Sequence, residues 1–128
     1  MSADQGYAPA QYYLGQCYYY GRGFSENKAE AAKWYRLAAE QDFTEAQFSL
    51  GYAYLMGEGV SIDYTEGVKW TRLAAEKVYR SAQDNMGWCY ETGNGVPQNY
   101  SEAVRWYKIA AKQNSSYAIK QLKRLNEM

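Results

Sequence analysis

Ser25-Glu26-Asn27-Lys28 is a stretch whose residue types and spacing fit covalent catalysis, a Ser-x-x-Lys in which the lysine helps to activate the serine. That chemistry needs a helix start inside a pocket, with Ser-Asp-Asn and Lys-Thr-Gly elements further along. Neither tripeptide occurs, so a hydrolase reading through Ser25 and Lys28 ranks last. The pairs Gly21-x-Gly23, Gly57-x-Gly59 and Gly93-x-Gly95 lack the third glycine and the preceding strand of a dinucleotide cradle. Histidine is absent, which removes the usual general base, the common triads and the commonest metal ligand. Two cysteines alone cannot close a zinc site. Carboxylates are spread one per segment at Glu30, Glu66 and Glu102, where helix capping accounts for them. The expectation is a non-enzyme with no cofactor and no metal.

What positions these residues is a repeat. A shift of 36 residues aligns the chain on itself without a gap, framed by Ala10, Ala46, Ala82 and Ala118. Gln11/Gln47/Gln83, Gly15/Gly51/Gly87, Tyr18/Tyr54/Tyr90 and Trp34/Trp70/Trp106 recur in register, as do the glycine pairs and the Ala-Ala pairs that end each unit. The spacing predicts two helices per unit. The first runs from about Ala10 to Tyr20 and stops at a left-handed Gly21. The second is capped by Asn27, Asp63 or Asn99, with glutamate three residues on in the capping-box arrangement, and runs to about Gln41. Ala31, Trp34 and Ala38 form its buried stripe, while Lys33, Arg36 and their equivalents make a solvated outer face paired with nearby acids. Glycine inside a helix costs about 1 kcal/mol relative to alanine. Gly15, Gly51 and Gly87 therefore imply a helix crossing too close for a Cβ.

Units of this kind cannot bury an apolar face alone and must stack. The expected fold is all-α: a right-handed α/α superhelical solenoid of three 36-residue helix-turn-helix repeats, 10–45, 46–81 and 82–117, with a capping helix at 118–128. Residues 3–10 match 39–46, so 1–9 read as the remnant of a preceding repeat. The composition agrees: 47% apolar overall, but with 15 Tyr and 4 Trp in place of aliphatics, which suits small-residue helix contacts with rings between them. Fourteen basic residues balance fourteen acidic ones, which argues against nucleic acid. No apolar run reaches membrane-spanning length, so no membrane insertion is expected.

The pattern Ala-x3-Leu-Gly-x2-Tyr-x2-Gly-x-Gly, an Asn/Asp cap, then Ala-x2-Trp-Tyr-x2-Ala-Ala resembles the Sel-one-like repeat (SLR) family, a relative of the tetratricopeptide repeat, over residues 3–118. Departures are Gly67 for alanine, Thr71 for tyrosine, and Asp42, Val78 and Asn114 at the turn where the family often has glycine. Cys17 and Cys89 lie two repeats apart, and with helices packed ~8–10 Å apart they exceed the ~7 Å reach of a disulfide. Exported cysteine-rich members of the family pair cysteines within each repeat; this chain does not, which leans toward a cytoplasmic setting and leaves periplasm or secretion open.

Positions required by packing repeat, whereas positions facing a partner need not. On each first helix the face that varies holds Tyr12, Gln16, Tyr19 and Tyr20, then Phe48, Tyr52, Leu55 and Met56, then Asp84, Trp88, Glu91 and Thr92. The resemblance implies that this face lines the concave side of the superhelix. The groove so drawn is aromatic over two repeats, acidic at the third, and basic at the cap through Lys120 and Arg124. Rings and methionine favour protein contact. The expected role is therefore an interaction scaffold or adaptor binding a protein or peptide segment with exposed hydrophobic residues. The alternatives are a structural module of a larger protein that self-associates through its ring-rich N-terminal end, and an inhibitor that occludes a toxin or enzyme.

Overall fold

A computed structural model describes Ala3 and residues 5–126. Residues 1, 2, 4, 127 and 128, at the margins of the expected remnant and cap, lie outside the described residues. Seven helices and no strand occur among the described residues: α1 (Ala8–Tyr20), α2 (Lys28–Ala39), α3 (Thr44–Met56), α4 (Tyr64–Glu76), α5 (Arg80–Thr92), α6 (Tyr100–Ala111) and α7 (Ser116–Asn126). Each packs chiefly on its neighbours in sequence, so the chain is a right-handed α/α solenoid of three helix pairs closed by α7.

The odd-numbered helices start two residues earlier than periodicity predicts, because Phe43 and Tyr79 leave the preceding turn extended and the helix begins at the next residue. Helices α1, α3 and α5 end on a left-handed glycine, Gly21, Gly57 and Gly93. The second helices are capped as expected, but by half a capping box. Asn27, Asp63 and Asn99 accept from the amides of Glu30, Glu66 and Glu102 at 3.0, 3.1 and 3.1 Å. Their own amides donate to the carbonyls of Tyr18, Tyr54 and Tyr90 at 2.8, 3.0 and 2.9 Å, which ties each loop to the helix before it. The three glutamates are thereby freed, and pair one turn on with Lys33, Lys69 and Arg105.

The crossing inside each pair is as close as the glycines imply. A Cβ on Gly15 would sit 2.8 Å from the Tyr35 ring, and one on Gly51 would sit 2.8 Å from the backbone nitrogen of Thr71. Beside each crossing lies a buried glutamine. The amides of Gln11, Gln47 and Gln83 donate to the carbonyls of Ala3, Ala39 and Ala75 at 3.4, 3.3 and 3.3 Å. Their oxygens accept from Gln41, Lys77 and Gln113 at 2.8, 3.0 and 2.7 Å. A buried amide left unbonded would be costly, so this repeated clasp fixes how one pair sits on the next.

Two expectations about the second helices need correction. Trp70 and Trp106 are buried, 6% and 5% exposed, each in a core cluster with alanines of the preceding repeat. Trp34 is only half-buried, since no helix precedes α1 among the described residues. Lys33 and Lys69 lie on a solvated face, and Arg36 also pairs with Glu40 one turn on at 4.0 Å, but Arg36 and Arg72 are only partly exposed. Their guanidiniums cover the rings of Tyr54 and Tyr90, 5.6 and 5.7 Å from the centroids, and donate to both hydroxyls. These contacts join each second helix to the first helix of the next repeat.

Candidate functional site

The variable face of α1, α3 and α5 carries two adjacent depressions. The first, about 290 Å³, lies between α1 and α3 under the start of α5. Tyr12, Gln16, Tyr19 and Tyr20 enter it from α1, Phe48 and Tyr52 from α3, and Tyr79 from the α5 cap. Its rings pack on one another: Tyr12 on Tyr35 at 5.7 Å, Phe48 on Tyr79 at 5.1 Å and on Tyr52 at 6.1 Å. Below them Tyr35 donates its hydroxyl to Gln16. At the rim Tyr19 donates to Glu58 at 2.7 Å, and Lys28 meets the other oxygen of that carboxylate at 3.4 Å. Burial raises the hydroxyl pKa of Tyr35 and Tyr12, and the bond to Glu58, followed by burial, raises that of Tyr19. These tyrosines stay neutral, so the bay offers ring surface and hydroxyls rather than charge.

The second depression, about 320 Å³, lies one repeat along and is lined by Met56, Ser81, Asp84, Asn85, Trp88 and Tyr117. Asp84 and Trp88 are four residues apart and so share one face of α5. Asp84 accepts a 2.7 Å bond from the Ser115 hydroxyl, and burial raises its pKa above the usual carboxylate value. The side-chain nitrogen of Asn85 is buried and makes no hydrogen bond.

Neither depression assembles a nucleophile with a base. Ser25 lies exposed in the α1–α2 loop, and Lys28 is turned away to Glu58. Cys17 and Cys89 are free and buried, and burial pushes the Cys89 thiol up to about 12.

The family model described as the Sel1 repeat matches residues 8–43, 44–79 and 80–115. The chain belongs to the Sel1 repeat family. Members of this family are in general helical repeat scaffolds that bind other proteins, and are not typically enzymes. Among solved structures, the chain is similar to a protective antigen of uropathogenic Escherichia coli strains that displays an SLR fold, at 44% identity and a TM-score of 0.92. The match covers 94% of this chain and 26% of that one. A Sel1 repeat protein from Oxalobacter formigenes is similar at 40% identity and a TM-score of 0.88, over 94% of this chain and 50% of that one. The chain thus spans half or less of the length of these relatives. Helicobacter pylori cysteine rich protein B, 23% identical, shares the fold with a TM-score of 0.68 over 75% of this chain and 72% of its own. No curated protein matches the chain.

Within this Sel1 array the expected stripe divides unevenly. Tyr12, Gln16, Tyr19, Tyr20, Phe48 and Tyr52 share the first bay, and Met56, Asp84 and Trp88 the second. Leu55 is in neither bay: it is 2% exposed and belongs to the core. Gly67 has no Cβ where the other repeats have alanine, and Leu55 fills the space so left. Glu91 accepts from the Tyr107 hydroxyl at 2.9 Å and pairs with Arg124, so these two charges neutralise each other while Asp84 and Lys120 take no part. The Thr92 hydroxyl donates to the carbonyl of Trp88 at 2.8 Å within its own helix. Lys120 is exposed and lines neither bay.

Lys28, Glu58 and Tyr79 in the first bay, and Ser81, Asn85 and Tyr117 in the second, escaped the sequence reading. Glu58 sits between two repeated glycines where Arg22 and Asn94 stand elsewhere. Variation at that loop position was the available signal, since the test for variable positions covered helix faces alone.

Proposed function

We propose that the two bays form one docking groove, and that this Sel1 array is a scaffold holding a protein or peptide segment by its exposed hydrophobic side chains. The observation that carries the reading is a contrast between ring positions. The rings repeated in all three units, Tyr18, Tyr54 and Tyr90 with Trp34, Trp70 and Trp106, line neither depression, whereas the non-repeated Tyr12, Tyr19, Phe48, Tyr52 and Trp88 line them and stay half-open. A half-open ring keeps area to bury against a partner, and rings do so at low entropic cost.

The test selects binding peptides from a displayed library on the wild-type chain, then measures them on variants. Tyr52→Ala and Trp88→Ala should each lose about 2 kcal/mol or more of binding while melting close to wild type. Trp70→Ala should lose about 3–5 kcal/mol of stability and bind in proportion to the folded fraction. Trp34→Ala, from a half-buried site, should cost less stability than Trp70→Ala. If the Tyr52 and Trp88 variants melt as low as the Trp70 variant, their rings are core and the groove reading fails.

A second reading, self-association, is favoured by one observation: Tyr7, Tyr13, Tyr20 and Phe24 are exposed at the α1 end. Exposed rings promote dimers where they join into one apolar patch, and sedimentation over a range of concentrations separates the two readings.

A further inference from the structure

The charges on the groove face are not equivalent. Glu58 is neutralised by Lys28 and bonded by Tyr19, and Glu91 is neutralised by Arg124 and bonded by Tyr107. Asp84 has only the Ser115 hydroxyl. Among the described residues no cation lies within ion-pair distance of it; Arg80, one turn earlier on α5, acts on it only through space and donates to the carbonyl of Gln113 at 3.2 Å. Beside it, on the next residue of α5, a buried amide nitrogen of Asn85 has no acceptor. The open ring of Trp88 stands one helical turn on, on the same face and in the same bay. A half-buried carboxylate with no ion-pair partner and a half-open indole thus face one depression.

We propose that the second bay receives an arginine of the docked segment, while the first bay receives an apolar side chain of the same segment about three residues away. The guanidinium supplies the charge Asp84 lacks, and its planar face stacks on Trp88. Arginine suits the site better than lysine because it is flat and weakly hydrated, which the indole requires. The spacing follows from the repeat. The bays share α3 as a wall, the first opening between α1 and α3 and the second between α3 and α5, so their offset is about one interhelical spacing of ~8–10 Å, which extended chain at ~3.3 Å per residue covers in about three residues. This inference rests on the groove reading above and names the chemistry of its occupant.

The probes are short synthetic peptides with one phenylalanine and one arginine three residues apart, in both orders. Matched sets replace the arginine by citrulline or glutamate, or the phenylalanine by alanine. Affinities are measured by calorimetry on the wild-type chain, on Asp84→Asn, which keeps an oxygen for Ser115, and on Tyr52→Ala, with circular dichroism confirming that each is folded. One of the two orders should bind wild type at least ten-fold more tightly with arginine than with citrulline, and glutamate should be worse still. Asp84→Asn should bind the arginine and citrulline peptides alike. Tyr52→Ala should weaken both by the same factor, leaving their ratio intact. Equal wild-type affinity for arginine and citrulline, or an arginine preference that survives Asp84→Asn, overturns the inference. If binding still depends on phenylalanine and on Tyr52 in that case, the groove reading stands without it. If no peptide binds in a phenylalanine- and Tyr52-dependent way, both fall together.

Discussion

Val78 holds a left-handed backbone, φ 68°, at the turn between α4 and α5, where Asp42 and Asn114 stand in the flanking repeats. All three turns close in the Schellman pattern: the amides of Phe43, Tyr79 and Ser115 return to the carbonyls of Ala38, Ala74 and Ala110 at 3.2 Å. Asn and Asp tolerate this region and a β-branched residue does not. Val78 is 63% exposed, so it recovers almost nothing through packing. Val78→Asn is therefore expected to stabilise the chain by about 1 kcal/mol, read as a higher denaturant midpoint at unchanged slope. An unchanged or lower midpoint would mean that the turn absorbs the strain. The alignment of Asp42, Val78 and Asn114 exposed this position without a structure, because a turn is a local property of the chain. The seating of Arg36 on Tyr54 was not legible in the same way. Lys33 and Arg36 carry the same charge on the same helix, and only the arrival of α3 decides that one guanidinium finds a ring while the ammonium stays in water.

Helix α4 departs from its sister helices at Gly67 and Thr71, and the packing of Leu55 explains the first. A Cβ at Gly67 would stand 2.6 Å from Leu55 Cδ2 and 3.2 Å from the Leu55 nitrogen. Thr71 replaces the tyrosine whose hydroxyl elsewhere reaches Gln16 or Glu91 on the groove face. In the middle repeat α3 and α4 thus interlock through a leucine instead of a tyrosine hydroxyl, and the floor of the groove is apolar there. An exposed helical Gly→Ala exchange gains about 1 kcal/mol. Gly67→Ala should do the opposite and cost about 1–3 kcal/mol from overpacking, since Leu55 is enclosed and cannot swing away. The Leu55→Ala background should return much of that cost, so a double-mutant cycle between the two sites should show a coupling above 0.5 kcal/mol. If Gly67→Ala stabilises the wild-type chain, α4 moves freely enough that the interlock does not exist. In the sequence Gly67 and Thr71 were visible as two separate departures. That Gly67 makes room for Leu55 follows only from a contact between helices, which a period of 36 residues does not encode.

Among the described residues each helix packs chiefly on its sequence neighbours, and α1 and α7 have such a neighbour on one side only. The loop glycines record this directly. A Cβ on Gly95 would strike the Tyr64 carbonyl at 2.5 Å, and Gly59 is pressed as closely on Lys28, whereas Gly23 meets nothing within 4 Å. Trp34 is likewise half-open where Trp70 and Trp106 are closed, and α7 buries Ala118 alone. Stacked arrays of this kind have a stability that sums unit and nearest-neighbour contributions, so a helix covered on both sides should open less often than one covered on one side. The groove inherits that gradient. Its first bay is walled by α1 and α3 and its second leans on Tyr117 of α7, so each bay joins a helix of the stable middle to one nearer an end. In native-state hydrogen exchange of this 128-residue chain, amides of α3 and α4 should be the slowest and those of α1 and α7 the fastest. A bound segment that bridges both bays should slow α1 and α7 more than it slows the centre, because it adds contacts where they are fewest. Uniform protection from α1 to α7 in the free chain would show instead that the array opens as one cooperative block, and that the graded contacts carry no graded stability.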